Sequence, residues 1–165
     1  MRACFLAARW LAAVLMIASG AFGQSVIVVD ASQGSGSSFA DLPAAVAWAG
    51  EGDVLLVRPG LYSNLAIDGK SLVVVSEGPD APQIQSASIS NLGPGQDVVL
   101  AGLHLASPSE AGLSILGNSG TILIEDCAIF GADGSHEASS RLEGHPAVRI
   151  VESSSVSFSS STLTG

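Results

Sequence analysis

The sequence predicts an all-β fold, a parallel β-helix of about four to five stacked coils preceded by one short capping α-helix. Two observations predict this solenoid. Short runs of Val, Ile and Leu recur along residues 53–165 with Gly, Ser, Asn and Pro between them, and the runs superpose on one another. After residue 50 no segment has the helical spacing of apolar residues, so one helix precedes many strands.

Residues 1–23 are expected to be a secretory signal peptide. Arg2 and Arg9 precede the apolar run 11–18, and small residues follow it. The run is shorter than the roughly 20 residues that a membrane span needs. We therefore expect residues 24–165 to form one β-helix domain without a membrane span, located outside the cell, in a periplasm or at the cell surface.

Charge and cysteine content narrow the classes of partner. The chain has 6 Lys and Arg against 15 Asp and Glu, with a net charge of −9, so a phosphate backbone would be repelled and no nucleic-acid partner is expected. Cys127 is the one cysteine outside residues 1–23, so the exported domain is not expected to form an internal disulfide. Stability is then expected to come from packing and backbone hydrogen bonds.

Residues 25–57 have the pattern of a strand, a Gly-Ser-Gly turn, a helix and a second strand. A dinucleotide-binding unit begins in this order, but Gly34-Ser35-Gly36 lacks the third glycine and no crossover helix follows. We expect Ser37 or Ser38 to cap the helix, which would cover the open end of the sheet. The apolar face predicted for the helix comprises Phe39, Leu42, Val46 and Ala49.

The strands that follow are expected to stack like residue on like residue. Successive repeats are separated by roughly two dozen residues, with one longer step. Stacked coils pair each strand in parallel with its counterpart at ~4.8 Å, whereas an antiparallel sandwich need not superpose in this way. The predicted inward rows are Leu72/Val98/Ile122/Val156, Val74/Leu100/Ile124/Phe158 and Leu105/Ile129/Leu163, with Leu113 and Val148 in a second family of strands.

Residues 45–78, AVAWAGEGDVLLVRPGLYSNLAIDGKSLVVVSEG, resemble the capping helix and first coils of right-handed parallel β-helix proteins of the pectin-lyase-like superfamily. The resemblance extends over nearly all of residues 24–165. It implies that residues 53–57 are a strand under the cap and that Arg58-Pro59-Gly60 is a bend covered by Tyr62. In pectate lyases, pectinesterases and polygalacturonases of that superfamily, acidic and basic residues cluster on the outward face of one sheet.

The outward positions between the predicted core rows do not supply such a cluster. No basic residue lies between Lys70 and Arg141, so neither the calcium-binding aspartates with a basic residue nor the aspartate, glutamine and arginine set of these enzymes can be placed. The catalytic residues therefore stay unassigned. An apolar outward row also suggests a face covered by a loop, a partner or further sequence. The positions concerned are Val73, Val99, Leu123 and Ser157.

Acidic side chains gather at one predicted bend. Glu125 and Asp126 lie there, and Glu77 lies near the same column two coils earlier, at roughly 10 Å by strand spacing. Carboxylates of inverting glycosidases lie roughly 6.5–9.5 Å apart, so a catalytic pair is one interpretation and a solvated acidic bend is the other. Nearby, Cys127 is expected to fill the core and His104 to face solvent.

The insertion 131–146 lengthens one repeat and is the most distinctive local feature. Loops that project from a rigid solenoid commonly carry binding sites. His136-Glu137 begins like a zinc-protease helix, but Ser140 stands where the second histidine is required. A metal site that uses His136 and His145 is an alternative to a plain polar loop, and we expect no metal or cofactor. The candidate binding residues are Glu125, Asp126, Asp133, His136, Glu137, Arg141 and His145.

The segment SSVSFSSSTLTG, residues 154–165, contains no capping helix, so the domain is expected to be incomplete or open at that end and to self-associate there. The features together predict an exported, non-catalytic β-helix module that binds extracellular polysaccharide or serves as a cell-surface scaffold. One alternative is the N-terminal part of a polysaccharide lyase, pectinesterase or glycoside hydrolase of the superfamily. A purely structural or adhesive solenoid is a third class.

Overall fold

The computed structural model describes residues 23–132 and 145–165. Its one helix lies near the start and strands follow it, so the predicted all-β class is confirmed. The elements are β1 (Val26–Val29), α1 (Leu42–Trp48), β2 (Asp53–Val57), β3 (Leu61–Tyr62), β4 (Leu65–Asp68), β5 (Leu72–Ser76), β6 (Gln83–Ile84), β7 (Ala87–Ser90), β8 (Asp97–Ala101), β9 (His104–Ala106), β10 (Leu113–Leu116), β11 (Thr121–Glu125), β12 (Ala128–Phe130), β13 (Val148–Val151), β14 (Ser155–Ser159) and β15 (Thr162–Thr164).

The strands form three parallel sheets, and the chain visits the three sheets in turn. The six-stranded sheet has the order β1-β2-β5-β8-β11-β14. The four-stranded sheet contains β4, β7, β10 and β13, and the five-stranded sheet contains β3, β6, β9, β12 and β15. A complete coil, for example β5, β6 and β7, thus contributes one strand to each sheet. This arrangement is consistent with a β-helix-like solenoid.

The strand register confirms the three predicted inward rows. Leu72 pairs with Val98, Val98 with Ile122, and Ile122 with Val156. The other two predicted rows pair in the same way, and Leu113 lies opposite Val148. Because like aliphatic side chains stack coil upon coil, the row residues from Leu72 to Ile129 are buried, and each contributes about 1.5–3 kcal/mol of hydrophobic stabilisation.

Helix α1 caps the first coil, as predicted, but it begins later than predicted. Its N-cap is Asp41, whose Oδ1 accepts a hydrogen bond from Leu42 N at 2.8 Å. The prediction of Ser37 or Ser38 as N-cap was wrong because Phe39 still pairs with Val29 as an isolated parallel bridge. The buried helix residues are Leu42, Ala45 and Val46, while Phe39 lies outside the helix and packs against the Trp48 ring.

Two rows of bends hold residues in the left-handed region. Between the six-stranded and five-stranded sheets, Gly102, Asp126 and Ser160 lie in register with φ of 69°, 51° and 50°. Glycine, asparagine and aspartate adopt this conformation more readily than other residues. The second row follows the four-stranded sheet and comprises Gly69, Asn91, Gly117 and Glu152. Stacked strands therefore bend at the same positions, which keeps the core rows aligned.

The predicted bend at Arg58-Pro59-Gly60 is confirmed. Tyr62 is buried, and its hydroxyl donates to Arg58 O at 2.8 Å and accepts from Ala31 N at 3.1 Å. The phenol thus joins the bend to the chain that leaves β1.

Within the described residues, β13, β14 and β15 form one edge of the stack and expose residues of the core rows. Ile150 is 45% exposed and Leu163 is 48% exposed, although their row partners Ile115 and Ile129 are fully buried. The difference follows from stacking, because each inward side chain is covered by the coils on its two sides.

Candidate functional site

The acidic bend predicted from the sequence is present, and its backbone explains part of its composition. Glu125 is half-buried on the outward face of β11, between Ala101 and Ser159. Asp126 follows it, exposed and in the left-handed conformation that the row of bends requires. The left-handed backbone conformation therefore accounts for an aspartate at this position without any catalytic role.

Glu77, the third acidic residue near that bend, is already paired with a basic residue. Its Oε2 accepts from Arg58 Nε at 2.6 Å, and Arg58 Nη1 also donates to Asp30 at 3.0 Å. Asp30 accepts as well from the hydroxyl of Ser32 and the backbone N–H of Gly34. The hydrogen bond from Ser32, then that from Arg58, lowers the pKa of Asp30 to about 2. The three charged side chains thus tie β1, β2 and β5 together.

Most of the predicted loop site cannot be compared with the structure. Asp133, His136, Glu137 and Arg141 lie outside the described residues. His145 is described and exposed, and its backbone N–H donates to Ala132 O at 3.0 Å, where the chain re-enters the solenoid. His145 thus lies just ahead of β13, the last strand of the four-stranded sheet.

Cys127 and His104, two potentially reactive side chains near the acidic bend, pack against their neighbours and are not fully exposed. Cys127 is buried, as predicted, and burial raises the pKa of its thiol to about 11. The His104 ring is half-buried with its centroid 5.0 Å from that of Phe130, so it is less open to solvent than predicted. Cys127 therefore lacks the setting of a reactive nucleophile at neutral pH.

A polar surface that the sequence did not single out lies on the outward face of the four-stranded sheet. One of its rows passes from Ser88 through Ser114 to Arg149, with Ala66 at its start. Ser88 and Ser114 are half-buried and Arg149 is exposed. We call this row and its neighbour the polar face. The neighbouring row comprises Asp68, Ser90, Leu116 and Val151.

Asp68 is held in place at one end of the polar face. Its Oδ1 accepts from Asn91 Nδ2 at 2.6 Å and from the Ser90 hydroxyl at 2.9 Å. These hydrogen bonds, that of Asn91 first, lower the pKa of Asp68. The sequence carried a signal for this face, since LSI and VRI place Ser114 and Arg149 between inward residues.

The polar face carries groups that can donate and accept hydrogen bonds along its length. Asp68 belongs to the first strand of the sheet and Arg149 to the last, so three strand spacings, ~14 Å, separate them. Serine hydroxyls between the two can donate and accept, the carboxylate accepts and the guanidinium donates. The face therefore offers mixed hydrogen-bonding groups at a regular spacing.

The outward face of the six-stranded sheet is different in character. Val73, Val99, Leu123 and Ser157 form one row, as predicted, and the first three are half-buried. The row beside it runs through Leu56, Val75, Ala101 and Glu125. Two adjacent outward rows are thus largely aliphatic, whereas the polar face combines hydroxyls and charges with the aliphatic Ala66, Leu116 and Val151.

Within residues 23–132 and 145–165, no three His, Cys, Asp or Glu side chains lie close enough together to hold a metal ion. No helix in those ranges is long and apolar enough to cross a membrane.

Scans against protein-family models, curated proteins and solved structures found no match to this chain. Its function is accordingly inferred from its own side chains.

Proposed function

We propose that the chain is an exported, non-catalytic module that binds extracellular polysaccharide along its polar face. We further propose that its architecture is the right-handed parallel β-helix of the pectin-lyase-like superfamily, with about four to five coils. The single observation that carries the binding proposal is the register of Ser88, Ser114 and Arg149, which repeats a polar group on successive strands.

The spacing of this row suits a repeating ligand. Adjacent strands are ~4.8 Å apart, which is close to the length of one sugar ring in an extended chain. A polysaccharide laid across the strands would meet Ser88, Ser114 and Arg149 one after another. Each ring presents hydroxyls that can donate to Asp68 or accept from Arg149. The rigid backbone of the sheet keeps these groups in place before the ligand arrives.

The charge of the chain favours a neutral polysaccharide. The net charge of −9 would repel a polyanion from most of the surface. Arg149 is one cation on the polar face, and Asp68 at the opposite end carries the opposite charge. Uncharged hydroxyl-rich chains avoid this repulsion and still use every hydrogen-bonding group of the face.

Binding without cleavage is supported by what several of the described carboxylates do. Asp41 accepts from Leu42 N, and Asp53 accepts from Ser25 N at 2.9 Å and Gly50 N at 2.8 Å. Asp30 and Glu77 are engaged with Arg58 as described above. These groups fix bends, caps and strand ends, which are structural roles. The alternative of a polysaccharide-cleaving enzyme is tested by the same experiment as binding.

Export is part of the proposal and rests on the first residues of the sequence. Arg2 and Arg9 ahead of the apolar run 11–18 suit a cleaved signal peptide. N-terminal sequencing of protein recovered from the medium or periplasm tests it. A new N-terminus at Gln24 supports export, and retention of residues 1–23 on cytoplasmic protein contradicts it.

The function is tested by incubating purified protein with a panel of neutral and acidic polysaccharides, then measuring retained protein and new chain ends. We expect retention on at least one neutral polysaccharide and no new chain ends. New chain ends that disappear in Glu125→Gln would instead support an enzyme. Absence of retention on every member of a broad neutral panel would contradict carbohydrate binding.

A further inference from the structure

A second surface of the molecule is apolar and outward-facing, and the proposed binding of polysaccharide does not use it. Rows on the six-stranded sheet bring aliphatic side chains from five neighbouring strands onto one face. We call this surface the apolar strip. It comprises Val26, Val28, Val54, Leu56, Val73, Val75, Val99, Ala101 and Leu123.

The dimensions of the apolar strip match one helical segment. Its five strands span about 19 Å along the stack, and its two rows lie about 7 Å apart. A helix of about 13 residues is equally long, and the apolar stripe of an amphipathic helix fits two rows of side chains. Helices commonly cover the apolar faces of sheets in globular proteins.

Negative charge borders the apolar strip on both sides. On one side, Asp97 is two residues ahead of Val99 on the same strand face, and Glu51 accepts from Gln96 Nε2 next to it. On the other side, Glu125 is two residues beyond Leu123. The described charged residues along the two borders are the acidic Asp30, Glu51, Glu77, Asp97, Glu125 and Asp126 and the basic Arg58 and Lys70.

The two basic residues at these borders are already engaged. Arg58 is held between Asp30 and Glu77. The ammonium group of Lys70 donates to Val46 O and Ala49 O, both at 3.0 Å, at the end of α1. The free charge that a partner meets along the strip is therefore acidic.

We propose that the apolar strip docks a cationic amphipathic helical segment of a partner protein. Its aliphatic stripe would cover Val73, Val99 and Leu123, while its Lys or Arg side chains would reach Asp97 and Glu125. Charge complementarity carries this choice of occupant. A second copy of the chain fits less well, because it brings the same acidic borders and because the strip is smaller than the roughly 800 Å² per partner of a standard interface.

The test uses a fluorescein-labelled 14-residue Leu/Lys amphipathic peptide as the probe and fluorescence anisotropy as the readout. A matched Leu/Glu peptide controls for charge. We expect the Leu/Lys peptide to bind the parent protein, and binding to weaken as NaCl is raised. We expect no binding of the Leu/Glu peptide.

Two variants locate the binding. The double variant Val73→Ser/Leu123→Ser is expected to bind the Leu/Lys peptide at least tenfold more weakly than the parent. Leu61→Ser removes an aliphatic side chain that is 75% exposed on another sheet, and it is expected to leave the affinity for the peptide unchanged. If circular dichroism shows that the double serine variant is unfolded, the double variant Asp97→Asn/Glu125→Gln is used in its place. It is expected to bind the Leu/Lys peptide severalfold more weakly than the parent, with a smaller dependence on salt. Equal binding of both peptides, or parent-like affinity in the folded strip variants, would overturn the proposal. A dimer of the parent that Leu123→Ser dissociates would overturn it in favour of a second copy.

Discussion

The buried carboxylate of Asp30 lies 3.0 Å from the guanidinium of Arg58, and it fastens the end of β1 to the end of β2. A hydrogen bond from Ser32 contributes most to holding the pKa of Asp30 at about 2, below its ordinary value of 3.8, and Arg58 comes next. Because the folded-state pKa is the lower one, the carboxylate contributes stability above pH 3.8 that is lost as the pH falls toward 2.

The first prediction is therefore that the Tm of the parent protein falls between about pH 4 and pH 2 more steeply than the Tm of Asp30→Asn. At pH 7 the variant has the lower Tm, since it has lost a charge-assisted hydrogen bond to Arg58. Thermal unfolding followed by circular dichroism at several pH values measures both effects. Parallel pH profiles for the two proteins would show that Asp30 does not contribute as described.

The second prediction concerns Asn118, a buried side chain that links two coils. It accepts from Leu92 N at 2.9 Å and donates to Ile89 O at 3.0 Å. Asn118→Ala leaves both buried backbone groups without that partner, so we expect the free energy of unfolding to fall by about 2–4 kcal/mol. Urea denaturation measures it. Asn64→Ala, at an exposed asparagine, is the control with an expected change within about 0.5 kcal/mol.

The third prediction separates structure from chemistry at Asp126. Asp126 lies in register with Gly102 and has a left-handed φ of 51°, which glycine adopts without strain. Asp126→Gly is therefore expected to match or exceed the parent in stability. Asp126→Val places a β-branched residue in the left-handed region and is expected to destabilise the protein by about 1–2 kcal/mol. Urea unfolding distinguishes them. Loss of stability in the glycine variant, or none in the valine variant, would contradict the conformational role of Asp126.

The fourth prediction concerns the outer edge of β13, β14 and β15. In the chain of residues 1–165, Leu163 is 48% exposed although it belongs to a core row, so we expect a protein of these residues to self-associate through this edge in a concentration-dependent way. Leu163→Lys is expected to shift it to monomer in sedimentation velocity. Thr164→Lys adds the same charge one residue away and is expected to retain the association. A parent protein that stays monomeric at every concentration would contradict this prediction.

The core was predictable because it repeats. Leu72, Val98 and Ile122 recur at nearly constant spacing, and a parallel stack converts sequence spacing directly into register. The helix boundary was not predictable, because Asp41 and the two serines are equally good N-caps on composition. The pairing of Phe39 with Val29 decided between them, and that contact depends on the tertiary fold.

The candidate site was predictable only in part. Glu125 and Asp126 were placed correctly at one bend, but the left-handed conformation of Asp126 depends on the bends stacked beside it. The polar face was missed because the strands that carry it are short, and Ser114 and Arg149 are separated by a long insertion. Neighbouring rows become visible only when the register is known.

Binding along the polar face is tested by affinity electrophoresis of the parent and Arg149→Ala in gels that contain a neutral polysaccharide able to retain the parent. We expect the parent to be retarded and Arg149→Ala to lose most of the retardation, while Leu61→Ser, on the five-stranded sheet, migrates like the parent. Arg149 is exposed, so its loss should leave the Tm within a few degrees of the parent value. Equal retardation of the parent and Arg149→Ala would contradict binding along the polar face.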